Sequence, residues 1–286
     1  MPRMEPCYVT WQRFEADIAR LFRLLPWPIA GVIGCPRSGM FAAAKIALMA
    51  GVPLWSAWRD RPPVPLGRGL RVHEAKGLNR SGPLVLVEDS VNTGHSLAQH
   101  LEHCPEGTLS AAVYVNPKSQ HKPDIAAWSL RMPHFFEWHL IGSNLASATL
   151  WDMDGVICED CPPDCDDDGP RYLEWLETVA PKTLPRLYPV GAIVTARLAK
   201  YQAQTEAWLQ RHGVLYNRLI MGPWPDLKTR RREYDPRRYK GGRYRQMPGA
   251  ILFVESCPVQ AKLIWEEVQR PVACNTTGQL WMQGGN

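Results

Sequence analysis

No stretch of this 286-residue chain comes near the ~20 consecutive apolar residues that a membrane-spanning helix needs. The longest apolar run near the front, Met40 to Pro53, is broken by Lys45, and the first residues lack the basic-then-apolar layout of a secretory signal. Internal repeats are absent as well, so the chain does not read as a repeat array. Together these absences argue against a membrane role and lead us to expect a cytosolic location, where thiols stay reduced. The eight cysteines are accordingly read as core residues, metal ligands or nucleophiles before disulfides.

What is present fits a globular chain, with 45% apolar and 21% charged residues. Its length exceeds what one hydrophobic core usually supports, so two domains of roughly 140 residues each are expected. The net charge of +5 hides an uneven distribution. Lys228 to Arg245 carries nine Lys or Arg against Glu233 and Asp235, a local +7 that leaves −2 for the remainder. With Tyr234, Tyr239 and Tyr244 interleaved, this segment suits nucleic acid, a small anionic substrate or a solvated loop.

Apolar residues at helical spacing from Trp11 to Leu25 predict an amphipathic helix ended by Pro26 and Pro28. Short apolar runs at 29–33, 84–87, 108–115, 148–151, 192–194, 219–221 and 251–254 predict buried strands, and 39–50, 95–103, 201–212 and 259–269 predict helices among them. This alternation predicts an α/β fold: two doubly wound, mainly parallel sheets whose ligands gather beyond the carboxyl ends of the strands. Residues 57–83 form a Pro-, Gly- and Arg-rich interval with no period, and such long connections are functional lids or disordered segments. The connector 133–145 sets the expected division at 1–146 and 147–286.

In the first half, Val85 to Ser96 reads VLVEDSVNTGHS, a strand ending in Glu88 and Asp89 and then a hydroxyl-rich turn that opens a helix. Backbone amides of Val91 to His95, with Asn92 in the turn and the hydroxyls of Thr93 and Ser96, can surround a phosphate while Gly94 permits close approach. The two acids beside it can hold a ribose diol or its metal. This pattern resembles the PRPP loop of type I phosphoribosyltransferases. A second strand end, GVIGCPRSGM from Gly31 to Met40, falls where that family has its pyrophosphate loop, with Arg37 offering a planar fork and Ser38 and Gly39 presenting amides. The family's loop often holds a non-prolyl cis peptide, which the sequence does not itself establish. The resemblance makes residues 57–83 the loop that closes over PRPP, with Arg59, Arg61, Arg68, Arg71 and Lys76 as candidates for the leaving pyrophosphate or as solvated side chains. It also implies a homodimer. The acceptor would meet the N-terminal helix and the aromatic run His134 to Trp138, although packing explains those aromatics equally well.

In the second half, LWDMDGVIC from Leu150 to Cys158 places Asp152 and Asp154 one residue apart at a strand end. That spacing resembles the first motif of the haloacid-dehalogenase-like (HAD) phosphatases. The resemblance makes Asp152 the nucleophile that forms an aspartyl-phosphate and Asp154 the general acid and base. Thr195 stands where the family's second motif has a phosphoryl-binding hydroxyl, and Arg197 is either a further phosphate contact or a structural or solvated helix-start residue. Lys240 is the preferred third-motif lysine, with Lys228 as runner-up. Glu255 ends the fourth-motif strand, so Asp152, Asp154 through its carbonyl, and Glu255 are the expected Mg²⁺ set. Many members of this family carry two acids at the last corner, whereas here Ser256 and Cys257 follow Glu255.

The interval from Asp154 to Thr195 is too short for a large cap and suggests a small helical flap over 169–179. Asp166, Asp167 and Asp168 before it read as a capping turn or a second metal site. Cys158, Cys161, Cys165 and Cys257 are either core cysteines or a Zn²⁺ site. Three functions follow from these resemblances. One is phosphoribosyl transfer from PRPP coupled to removal of a 5′-phosphate from a small phosphorylated substrate. A second is a PRPP-sensing domain that regulates a phosphatase. The third is a phosphatase for nucleic-acid ends.

Overall fold

The computed structural model describes residues 3–4, 7–67, 81–130 and 134–283. It has two compact units, each built on a parallel-rich sheet. Residues 11–134 form most of the first unit, and residues 7–10 join 135–286 in the second. The division therefore falls at Phe135 rather than Ser147. Its cause is local: Tyr8–Val9 pairs in parallel with Phe135–Phe136, and Tyr8, Leu140 and Ala146 are buried in the same core as Trp151. Apolar residues assigned from sequence to a connector are thus part of the second core.

The seven-stranded sheet of the first unit runs Arg3–Met4, Ile125–Leu130, Leu109–Val115, Leu84–Val91, Gly31–Gly34, Leu54–Ser56 and Val64–Gly67. All neighbours are parallel except the last pair. Gly31–Gly34 has Leu54–Ser56, the next strand in sequence, on one side and Leu84–Val91 on the other. The direction of winding reverses there, which opens a crevice at the carboxyl ends of those two strands. Helices Trp11–Leu24 and Ser38–Ala50 bury their apolar stripes, among them Phe14, Ile18, Leu21 and Ile46. The interval 57–83 is not structureless throughout, because Val64–Gly67 is an antiparallel edge strand. Arg68, Arg71 and Lys76 lie outside the described residues.

In the second unit the order is Leu219–Gly222, Ala192–Leu198, Thr149–Trp151, Leu252–Glu255, Val272–Cys274 and Leu280–Trp281, with the last strand antiparallel. Thr149–Trp151 is flanked by Ala192–Leu198 and Leu252–Glu255. The winding reverses at that central strand, again at the end carrying the acidic motif. The central strands are apolar on both faces because both are covered: Trp151, Val254 and Ile193 pack into one layer, Leu150, Phe253 and Val194 into the other. Helix Pro170–Thr178 occupies the expected flap region but is packed down, with Tyr172, Trp175 and Leu176 buried. Among the described residues no helix is long and apolar enough to cross a membrane.

Candidate functional site

At the crevice of the second unit, Asp152 follows its strand directly and its backbone N–H donates to Val254 O at 2.9 Å. This bond locks the motif to the neighbouring strand, whose last residue is Glu255. Lys240 comes from a π-type turn, Arg237–Gly241, and is almost fully buried. Its Nζ donates to Asp152 Oδ2 at 2.7 Å and to Glu255 Oε2 at 2.6 Å. Burial alone would lower the Lys240 ammonium, but Asp152 and then Glu255 outweigh it and hold its pKa well up. Burial and the Glu255 charge push Asp152 up, against Lys240. Lys228, the runner-up from sequence, is exposed on helix Leu227–Glu233.

Asp154 turns aside. Arg197 Nη2 donates to its Oδ1 at 2.6 Å and Nε donates at 3.0 Å, while the guanidinium lies over the Trp175 ring at 4.9 Å. Arg197 is thus a buried holder of Asp154 and not a solvated helix-start residue. Thr195 is fully buried, and its Oγ1 accepts from the Arg197 backbone N–H at 3.1 Å. Gly155 has φ +75°, and a Cβ there would come within 2.4 Å of Ser256 Oγ. The turn after Asp154 can therefore approach the fourth strand only as glycine. Ser256 Oγ donates to Asp154 O at 3.2 Å, tying the two strand ends together.

A cleft of about 570 Å³ opens here, lined by Asp152, Asp154, Lys240 and Glu255 together with Arg230 and Tyr234 of the basic segment and with Asp160 and Gln260, which the sequence did not single out. Burial, and next the charge of Asp154, raises the Asp160 carboxyl. Its position in the same loop as Asp152 was the available signal for it. Tyr234 OH donates to Gln260 Oε1. Arg230 pairs with Asp166 at 2.7 Å. Asp167 accepts the N–H groups of Gly169 and Tyr172, and Asp168 binds Lys200 and Tyr201, so the acidic triplet serves as a cap and tether.

The side chains of Asp152, Asp154 and Glu255 do not close into one cluster, because Asp154 faces Arg197 and Lys240 stands between the other two. The Asp152 and Glu255 carboxylates and the Asp154 carbonyl are oxygen donors, the type Mg²⁺ takes. Zinc ligation by the four cysteines is not what this arrangement shows. Cys158 Sγ lies 3.2 Å from Arg197 Nη2 and 3.5 Å from Asp154 Oδ1, and these cysteines form no cluster of metal-ligand spacing among the described residues. The basic segment also differs from a nucleic-acid stripe. Tyr239 and Tyr244 are buried in the core, and Arg237 and Arg245 pair with Glu266 and Glu267.

In the first unit, the Leu84 strand runs on to Val91, so Glu88 and Asp89 sit within it rather than past its end. Both are buried. The Asp89 N–H donates to Glu88 Oε1 at 3.1 Å, and burial, then Asp89, pushes the Glu88 carboxyl well up. Beyond the strand, Asn92 and Thr93 are exposed, Gly94 is buried and Ser96 is half-buried at the start of helix His95–Leu101. Gly94 has φ +86°, and a Cβ would fall 2.0 Å from His121 O. Asn116 Nδ2 donates to Asn92 Oδ1 at 2.7 Å, and Arg59 Nη2 lies 3.5 Å from Ser96 Oγ. Across the crevice, Arg37 is exposed, Ser38 opens the Ser38–Ala50 helix, and Gly39 is buried against Glu88. The Pro36–Arg37 peptide is cis. Phe136 stacks on Trp138 at 4.8 Å within the second unit, so both are packing residues there.

No family model matches the chain, and no curated protein sequence does. Solved structures similar to part of it include a purine phosphoribosyltransferase from Pyrococcus horikoshii Ot3, 19% identical over 46% of this chain and 91% of that one, with a TM-score of 0.32. The Helicobacter pylori xanthine-guanine-hypoxanthine phosphoribosyltransferase is 14% identical over 49% of this chain and 97% of that one, at 0.34. An orotate phosphoribosyltransferase from Aeropyrum pernix is 16% identical over 41% and 71%, at 0.31.

Proposed function

We propose that the second unit is a Mg²⁺-dependent phosphomonoester hydrolase of HAD type, and that the first binds PRPP and transfers its phosphoribosyl group to an acceptor. The observation that carries the phosphatase reading is Lys240 Nζ held between Asp152 and Glu255 at the reversal point of the sheet. Asp152 attacks phosphorus, and the leaving alkoxide takes its proton from Asp154. A water then gives its proton to Asp154 and attacks the phosphoryl group, which frees phosphate and restores the Asp152 carboxylate. Arg197 positions the Asp154 side chain through two N–H donors. Bound by Asp152, the Asp154 carbonyl and Glu255, Mg²⁺ would offset the negative charge that repels the nucleophile. Lys240 supports the same charge from the protein side.

The phosphoribosyl reading rests on two loops at one crevice. The Asn92–Ser96 turn leads into a helix start, and Arg37 stands exposed across from it. Pyrophosphate would leave toward Arg37 as the acceptor bonds to C1 of the ribose. The product carries a 5′-phosphate, which is the group the second unit would remove, so the two reactions form a sequence. A second reading, PRPP sensing without turnover, is favoured by the inward position of Glu88 at the Asp89 N–H.

Acid-quench trapping of a labelled phosphoryl group, with wild type and Asp152→Asn compared, tests the phosphatase. A phosphoryl-enzyme is expected in wild type alone, and equal labelling of both would remove Asp152 as the nucleophile. Incubation with PRPP, Mg²⁺ and a metabolite pool, read by mass spectrometry, tests the first unit. Riboside products support the two-step sequence, phosphoribosides transfer alone, and PRPP binding without pyrophosphate release supports sensing.

A further inference from the structure

We propose that Cys35, Glu88 and His100 bind a zinc ion in the interior of the first unit, beneath the two loops of its crevice. One ligand atom from each of the three side chains lies within 4.8 Å of the others. Three separate elements deliver them. Cys35 follows the Gly31–Gly34 strand, and its N–H donates to Val87 O at 3.0 Å. Glu88 is therefore its neighbour on the adjacent strand. His100 comes from the helix His95–Leu101, which begins at the Gly94 turn. Cys35 is fully buried, and Glu88 and His100 retain only 9% and 4% of their exposure.

The second observation is an unmet valence. His100 Nδ1 is buried with no hydrogen-bond partner. A zinc-ligating histidine likewise presents a ring nitrogen whose lone pair no other group has taken. The bland alternative is a thiol–carboxylate hydrogen bond from Cys35 to Glu88. That bond serves two of the groups and leaves the imidazole nitrogen desolvated and unpaired, which is costly in an interior.

The donor set selects the ion. One thiolate, one imidazole and one carboxylate suit tetrahedral Zn²⁺ and not the oxygen-seeking Mg²⁺ or Ca²⁺. Binding would release the Cys35 thiol proton to solvent and leave a thiolate–zinc bond. A fourth position would go to water or to Cys104, whose Sγ already approaches His100 O at 3.3 Å. An ion here would fix the start of helix His95–Leu101, and with it the Thr93–Ser96 turn. It would also assign Glu88 to the metal and leave Asp89 as the acid for a sugar. The zinc site stands whether or not the crevice above it turns over PRPP.

The full-length protein, purified without chelator and without a histidine tag, should carry about one zinc per chain by elemental analysis. Replacement by Co²⁺ should give a thiolate-to-cobalt charge-transfer band. Cys35→Ser should lose the band and most of the zinc, and His100→Gln should weaken zinc retention, whereas Cys161→Ser should keep both. If Cys35→Ser does not fold, the wild-type cobalt spectrum and His100→Gln decide. Protein without zinc whose cobalt form lacks the band would leave a thiol–carboxylate hydrogen bond only. Zinc retained by Cys35→Ser and His100→Gln but lost from Cys161→Ser would move the site to the second unit. Either outcome overturns the proposal.

Discussion

Arg197 Nη2 stands 2.6 Å from Asp154 Oδ1, with the arginine side chain fully buried and the aspartate a quarter exposed. The cation is thus fixed and the carboxylate is the partner able to move. In the proposed phosphatase, Arg197 would position the acid–base group without joining the reaction. Arg197→Met keeps much of the side-chain volume and removes the hold. Turnover of an aryl phosphate should fall about 10–100-fold, with KM little changed. The pH–rate profile is measured beside the rate. An unchanged profile and rate would make Arg197 a core residue alone.

Lys240 forms ion pairs with two buried carboxylates at once. Lys240→Met should destabilise the second unit by about 3–5 kcal/mol, the usual result of removing one partner from a buried ion pair. Saturating Mg²⁺ should restore part of this loss in denaturant unfolding, since a divalent ion can replace the missing charge between Asp152 and Glu255. Equal unfolding midpoints with and without Mg²⁺ would argue against these carboxylates as a metal set.

Both crevices were legible because each motif stands at the end of an apolar strand, and the reversal of strand order then follows from which strands pair. Less legible were the short strands Leu54–Ser56 and Leu280–Trp281, whose few residues give no period. The extension of the Leu84 strand through Glu88 and Asp89 was hidden by their charge, because acids normally mark a strand's end. Residue type alone does not separate a buried from a solvated role for Arg197. It lies two residues after Thr195, and residues two apart share a face of a strand, so the spacing pointed inward where composition pointed outward. Arg230 and Tyr234 come from a helix and its end that the basic composition of 228–245 disguised as a loop, whereas Gln260 lies on the helix expected over 259–269.

Gly94 combines a left-handed backbone with a Cβ position 2.0 Å from His121 O. Gly94→Ala must displace either its own turn or the 119–121 segment packed on it. A stability loss of about 1–3 kcal/mol is expected from the strained backbone. PRPP binding, measured by calorimetry, should weaken about tenfold or more, because a small misplacement of phosphate-binding amides is enough to lose alignment. Unaltered affinity in a folded variant would place PRPP elsewhere.

Asp168 is the tether of the second unit's acidic turn, accepting from Lys200 Nζ at 2.8 Å, Tyr201 OH at 2.7 Å and the Leu227 N–H at 3.2 Å. Its burial acts to raise the carboxyl, but these three donors outweigh it and hold the pKa below the usual range. A carboxylate whose folded-state pKa is depressed contributes stability that is present above its unfolded pKa and is lost as pH falls through the folded value. Asn tolerates the left-handed backbone found at this position, φ +57°, so Asp168→Asn removes the charge without straining the turn. The substitution should cost about 1 kcal/mol near neutral pH. The gap between wild type and variant should narrow as pH falls below about 4, where the unfolded carboxyl takes up its proton. Urea midpoints of both proteins across that range measure it, and a gap that stayed constant into acid would assign the loss to packing rather than to charge.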